Sequence, residues 1–161
     1  MMNESRGGFG RVLGTALLGL ILTVLPLPAA IGWLRPDWLL IFVIYWSLVS
    51  PRIAGLAFAW VCGLLIDVTS GTVLGEHAFA FLFVGFLTHR LQLRMRIFPI
   101  WQQAFTVLVL LAIYQFLLFW IDGITGQAVT TWRRWMPAIV GGALWPVITA
   151  VMDTFNRRSV R

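Results

Sequence analysis

"GLLIDVTSGTVLGEHAF", residues 63–79, places an Asp and then a Glu-His pair between two strongly apolar segments. Small residues lead into it in steps of four: Gly55, Ala59 and Gly63, then Asp67, Gly71 and Gly75. A step of four advances about 400° on a helix, so the row drifts slowly round one face. Small side chains at this spacing let two membrane helices approach closely. Asp67 continues the row, and an ionised carboxylate facing lipid costs at least ~2.5–3.5 kcal/mol. Asp67 is therefore expected to face protein or a wet crevice. Besides a substrate or proton site, two readings stay open for it. One is a helix-end residue bonded to Thr69 or Ser70. The other is a buried contact that fixes this helix against a neighbour, with Arg35 or Arg52 as partner.

The rest of the chain sets the context. Of 161 residues, 60% are hydrophobic and 11% charged, against about 25% charged in a soluble domain. Apolar stretches recur along the whole length, too many for one small core. The expectation is an all-α, polytopic membrane bundle, a single integral membrane domain over 1–161. The single Cys62 excludes an internal disulfide and a cysteine-based zinc site.

Helix-length apolar runs predict about six transmembrane helices. They are Arg11–Leu25, Asp37–Ser50, Ile53–Ile66, Glu76–Leu91, Ile97–Ile121 and Arg134–Asp153. Several are short for a hydrocarbon core of ~30 Å. Arg6 and Arg11 followed by an apolar run resemble a signal peptide, but Pro26 and Pro28 make a poor cleavage site. An uncleaved first helix is expected.

All twelve basic residues are arginines, and the formal charge is +6. They sit at the ends of apolar segments, which points to orientation and anionic lipid rather than nucleic acid. With both termini cytoplasmic, nine arginines fall inside and three outside: Arg35, Arg133 and Arg134. Arg90, Arg94, Arg96, Arg157 and Arg158 form the expected cytoplasmic basic surface. Trp33, Trp38, Trp120, Trp132 and Trp135 gather on the outer side as an aromatic belt.

Three clusters invite a chemical reading. Asp67, Ser70 and His77 suggest a hydrolase triad, but nothing in the spacing shows that the base reaches the hydroxyl. Glu76 and His77 are adjacent ligand types with no spaced partner, a weak metal signal. In "RPDW", Pro36 presets a helix start and Asp37 suits the positive end of the helix dipole. Trp38 fits headgroup depth, and Arg35 with Asp37 also offers a surface for a partner. Gln115 lies deep in the fifth helix, where an amide usually bonds a neighbouring helix. No cofactor, no metal and no enzymatic activity are expected.

"RPDWLL" with "YW" and "PR", then "GLLIDVTSGTVLGEHAFAF", "WQQAF" and "GALWPVI" follow in that order. In this combination, over about Arg35 to Arg158, the chain resembles the MreD family of bacterial rod-shape-determining inner-membrane proteins. Asp67-x-x-x-Gly71-x-x-x-Gly75 and Leu144–Pro146 carry most of the specificity. The resemblance implies a non-enzymatic adaptor of the cell-elongation machinery at the inner membrane. It implies MreC as a binding partner, with RodA, its transpeptidase and MreB filaments in the same assembly. The family is also similar in architecture to six-helix vitamin-binding transporter subunits, so a small-molecule-binding subunit is the alternative. Asp67, Gly63, Gly71, Gly75, Arg35, Asp37, Trp38 and Arg52 are the expected helix-packing or partner-binding positions.

Overall fold

The structure is a computed structural model describing residues 2–26, 28, 30–126 and 131–158, with the side chains of 2–7 and 157–158 outside that description. It is all-helical, with no strand among the described residues. The helices are α1 (Met2–Val24), α2 (Trp38–Val49), α3 (Leu56–Ser70), α4 (Glu76–Met95), α5 (Ile100–Thr125) and α6 (Met136–Arg158). Short 3-10 turns at Gly32–Leu34 and Trp132–Trp135 lead into α2 and α6.

Local chemistry sets the boundaries. Pro99 precedes α5 with extended backbone, so Ile97 and Phe98 fall outside the helix. Gly71 and Gly126, at φ 67° and 77°, end α3 and α5 in the left-handed region that costs glycine nothing. The turn after Pro51 runs on through Ala54, whose N–H reaches the Ser50 carbonyl, so α3 starts at Leu56 rather than Ile53.

The helices pair as α1 with α2, α3 with α4, and α5 with α6. α2 also touches α3, α4 and α6, so it runs up the middle. Every residue from Leu39 to Leu48 is buried, including Tyr45, Trp46 and Ser47. A helix apolar on all sides belongs in an interior. The remaining helices enclose it: α3, α4, α5 and α6 adjoin in chain order, and α1 adjoins α3. Arg11 Nη1 donates to Asn156 Oδ1 at 2.6 Å and joins α1 to α6.

Glycines set the closeness of the pairs. A Cβ on Gly19 would lie 3.0 Å from the Leu39 Cα, and one on Gly142 would lie 2.7 Å from the Leu108 Cβ. The tightest approach is between α3 and α4, where a Cβ on Gly63 would lie 2.4 Å from the Ala78 Cα. Gly85 meets Ala59 one turn further along the same seam.

Two features depart from the expected six spans. Among the described residues, two segments, Ile100–Thr125 and Trp132–Asn156, are long and apolar enough to cross a membrane by themselves. The segment expected as the second span, Asp37–Ser50, holds α2, a 12-residue helix about 18 Å long at ~1.5 Å per residue. It is wrapped by protein.

Candidate functional site

The site begins at the α3–α4 turn. The first N–H groups of a helix have no partner inside it. Gly75 precedes α4 and has no side chain to cap it. Asp67, one turn from the end of α3, does so from the preceding helix. Its carboxylate accepts from the backbone N–H of Gly75 at 2.8 Å, of His77 at 2.9 Å and of Ala78 at 3.3 Å. Thr72 Oγ1 donates to it at 3.3 Å, and His77 Nδ1 lies 2.9 Å away. Asp67 is 1% exposed. A negative charge at the positive end of α4, buried and held by several donors, satisfies both the carboxylate and the helix terminus.

Asp67 therefore caps its own helical hairpin and is not paired with an arginine. Arg52 is exposed in the turn before α3, at the far end of that helix. Gly71 and Gly75 differ from the expected packing row. A Cβ at either would meet nothing within 4 Å, and both have positive φ, 67° and 101°. They shape the turn that brings the α4 terminus to Asp67. The row that packs helices is Ala59 and Gly63, with Asp67 at its end.

Arg35 lies at the same end of the bundle. Its guanidinium donates to the Leu22 carbonyl, with Nη2 at 2.6 Å and Nε at 3.1 Å, and to the Leu25 carbonyl. It thus caps the C-terminus of α1, where a cation meets the negative end of the helix. Asp37 makes no side-chain bond to its own helix. It accepts from Gln115 Nε2 at 2.9 Å and ties α2 to α5. Trp38 packs half-buried against the core and tilts against Phe42. Arg35 and Asp37 are thus turned into the bundle and do not form a free surface.

A cavity of about 200 Å³ opens between these groups, with Thr23, Arg35, Asp37, Ser70, His77 and Tyr114 on its walls. Tyr114 packs edge-on against Phe81 at 5.7 Å and beside His77 at 6.2 Å. Ser70 and His77 share this cavity, but no hydrogen bond joins them among the described residues. Glu76 leaves its neighbour His77 and faces Asp122 and Arg134. Arg134 Nη2 pairs with Asp122 Oδ2 at 2.5 Å, joining the 3-10 turn before α6 to α5. No group of three metal-ligating side chains forms among the described residues.

At the opposite end, Arg96 donates to the Leu48 carbonyl, with Nη2 at 2.7 Å, and caps α2. Arg90 lies over the Phe86 ring and, like Arg94, is exposed. The side chains of Arg157 and Arg158 lie outside the described residues. Sequence reasoning missed Tyr114, the Asp122–Arg134 pair and the capping roles of Arg35 and Arg96. The available signal was position, since each arginine lies in a connection near a helix end.

The family of rod shape-determining protein MreD matches residues 9–155. The chain belongs to the MreD family. The MreD match takes in all of α2 to α5, most of α1 and α6, and every side chain placed above around Asp67 and the cavity. The rod shape-determining protein MreD of Haemophilus influenzae (strain ATCC 51907 / DSM 11121 / KW20 / Rd) is 25% identical over 147 residues, 91% of this chain and 91% of that protein. No solved structure matches the chain.

Proposed function

We propose that the chain is a multi-pass inner-membrane adaptor of the rod complex, with both termini in the cytoplasm. In this reading it is non-enzymatic, holds MreC, and supports peptidoglycan synthesis and rod shape beside RodA, its transpeptidase and MreB filaments. One observation carries the membrane part. Each outer helix exposes large apolar side chains: Leu17 on α1, Leu65 on α3, Phe83 on α4, Phe116 on α5 and Val147 on α6. Exposed apolar surface on this scale suits lipid or a protein partner and not water. The MreD family match supports the shape-determining part.

The arrangement is suited to gripping other polypeptides. The inner charges are committed to caps and helix-to-helix bonds, while the outward faces are free to pack. Helix α3, 15 residues long, extends about 22 Å. A bilayer thinned locally around it accommodates that length. Arg90 and Arg94 supply a basic cytoplasmic rim for anionic lipid.

The test is genetic and biochemical. In a rod-shaped host lacking its own family member, the tagged chain restores rod shape and MreC co-purifies with it. Cells that stay round, or a pull-down without MreC, overturn the adaptor reading.

A further inference from the structure

Tyr114 is 2% exposed and lines the 200 Å³ cavity. Its hydroxyl has no hydrogen-bond partner among the described residues, although its ring is packed against His77 and Phe81. The enclosed unpaired side-chain atoms among the described residues are Gln92 Oε1 and Arg134 Nε, so the Tyr114 oxygen is open to the cavity and free to bond what enters it. The groups around it share a character. Asp37 uses one carboxylate oxygen for Gln115. His77 directs Nδ1 at Asp67, which leaves Nε2 as the ring nitrogen without a bond to it; in the neutral imidazole that nitrogen accepts. Ser70 adds a hydroxyl. Arg35, the one permanent cation on these walls, donates to the carbonyls of Leu22 and Leu25 and also acts on the Asp37 carboxylate through its charge. The cavity is therefore rich in acceptors beside a carboxylate, with the aromatic rings of Tyr114 and Phe81 on its wall. An ammonium group satisfies such a wall by donating three hydrogen bonds and lying beside aromatic rings.

We propose that the cavity between Asp37, His77 and Tyr114 binds a primary ammonium group. It is supplied by a small free amine or by the ethanolamine headgroup of a phospholipid. The volume suits a molecule of a few heavy atoms or the tip of a headgroup. The inference is independent of the adaptor reading, since an adaptor without a ligand and a liganded protein that binds no MreC are both physically complete.

The test uses the full chain in nanodiscs of phosphatidylcholine and phosphatidylglycerol, titrated with propylammonium chloride while thermal unfolding is followed. A saturable rise in Tm is expected, absent with 1-propanol at the same concentrations. Tyr114→Phe removes the hydroxyl and keeps the ring. It should weaken the propylammonium midpoint by roughly tenfold, the size of one lost hydrogen bond to a charged group. Asp37→Asn should weaken it further. Should Asp37→Asn fail to fold, the conservative Tyr114→Phe decides. Nanodiscs containing phosphatidylethanolamine separate the sources. If that lipid raises Tm and abolishes the propylammonium response, the headgroup is the ligand. If the response is unchanged, the ligand is a free amine. No saturable shift from propylammonium or phosphatidylethanolamine overturns the proposal and leaves a cavity filled by water. So does an equal shift from 1-propanol, or wild-type affinity in Tyr114→Phe.

Discussion

Gly63 and Ala78 meet backbone to backbone, with room for no atom between them: a Cβ on Gly63 would lie 2.4 Å from the Ala78 Cα and 2.7 Å from its nitrogen. The neighbour that would have to move is main chain, not a flexible side-chain tip. Gly63→Val should therefore push α3 from α4 and lower stability by about 1–3 kcal/mol or more. Gly14, where a Cβ meets nothing within 4 Å, is the control. Gly14→Ala should be neutral or stabilising by up to ~1 kcal/mol. Thermal unfolding of the two purified variants compares them directly, and equal behaviour would contradict the close approach.

Removing the Asp67 carboxylate leaves the N–H groups of Gly75, His77 and Ala78 without it. Asp67→Ala should cost several kcal/mol, at ~1–3 kcal/mol for each buried group left unpaired. Asp67→Asn keeps one acceptor oxygen but turns an NH₂ toward donors, so it should fall between Asp67→Ala and the parent. Amide exchange at residues 75–78 reads the effect locally, with protection falling in the order parent, Asn, Ala.

Gly71 lies in open space at φ 67°. Its replacement is a conformational matter and not a clash. Gly71→Leu should cost about 1–2 kcal/mol, and Gly71→Asn less, because Asn tolerates the left-handed region. An unfolding midpoint for Gly71→Asn as low as that of Gly71→Leu would show that side-chain volume matters there after all.

Arg134, in the 3-10 turn before α6, pairs with Asp122 of α5, and its removal leaves Glu76 facing Asp122 without the cation. Arg134→Gln should destabilise by roughly 1–3 kcal/mol, below a fully buried pair because both side chains keep some exposure. Adding Asp122→Asn should recover part of that loss. A double-mutant cycle measures the coupling, and strictly additive effects would refute it.

Much of this arrangement was legible in the residue order, and the rest was hidden for physical reasons. Asp67 could be read as sheltered because a carboxylate in a row of small residues cannot face lipid. Its partner could not, since a backbone N–H has no letter of its own. Gly71 and Gly75 continued the four-step row on paper, yet a glycine that permits close packing and one that permits positive φ look the same in a sequence. The apolar run of α2 read as one span among six, and its central place was not legible because Leu and Ile suit lipid and protein interior equally. Arg35 and Arg96 read as surface charges. Their contacts are with carbonyls of Leu22 and Leu48, again groups that every residue possesses. Tyr114 carried no signal, because its importance comes from a void that forms only when α1, α2, α3, α4 and α5 have come together.

The central position of α2 bears on how the chain is made. Synthesis delivers residues 38–49 early, while α4 and α6, which form part of their sheath, emerge later. Until then an apolar rod of about 18 Å has only part of its surface covered, by α1 and α3. A chain halted before residue 136 would leave that rod partly bare on the side that α6 covers. Of the helices that touch α2, α6 stands last in the order, so it is the one that completes the enclosure of the middle.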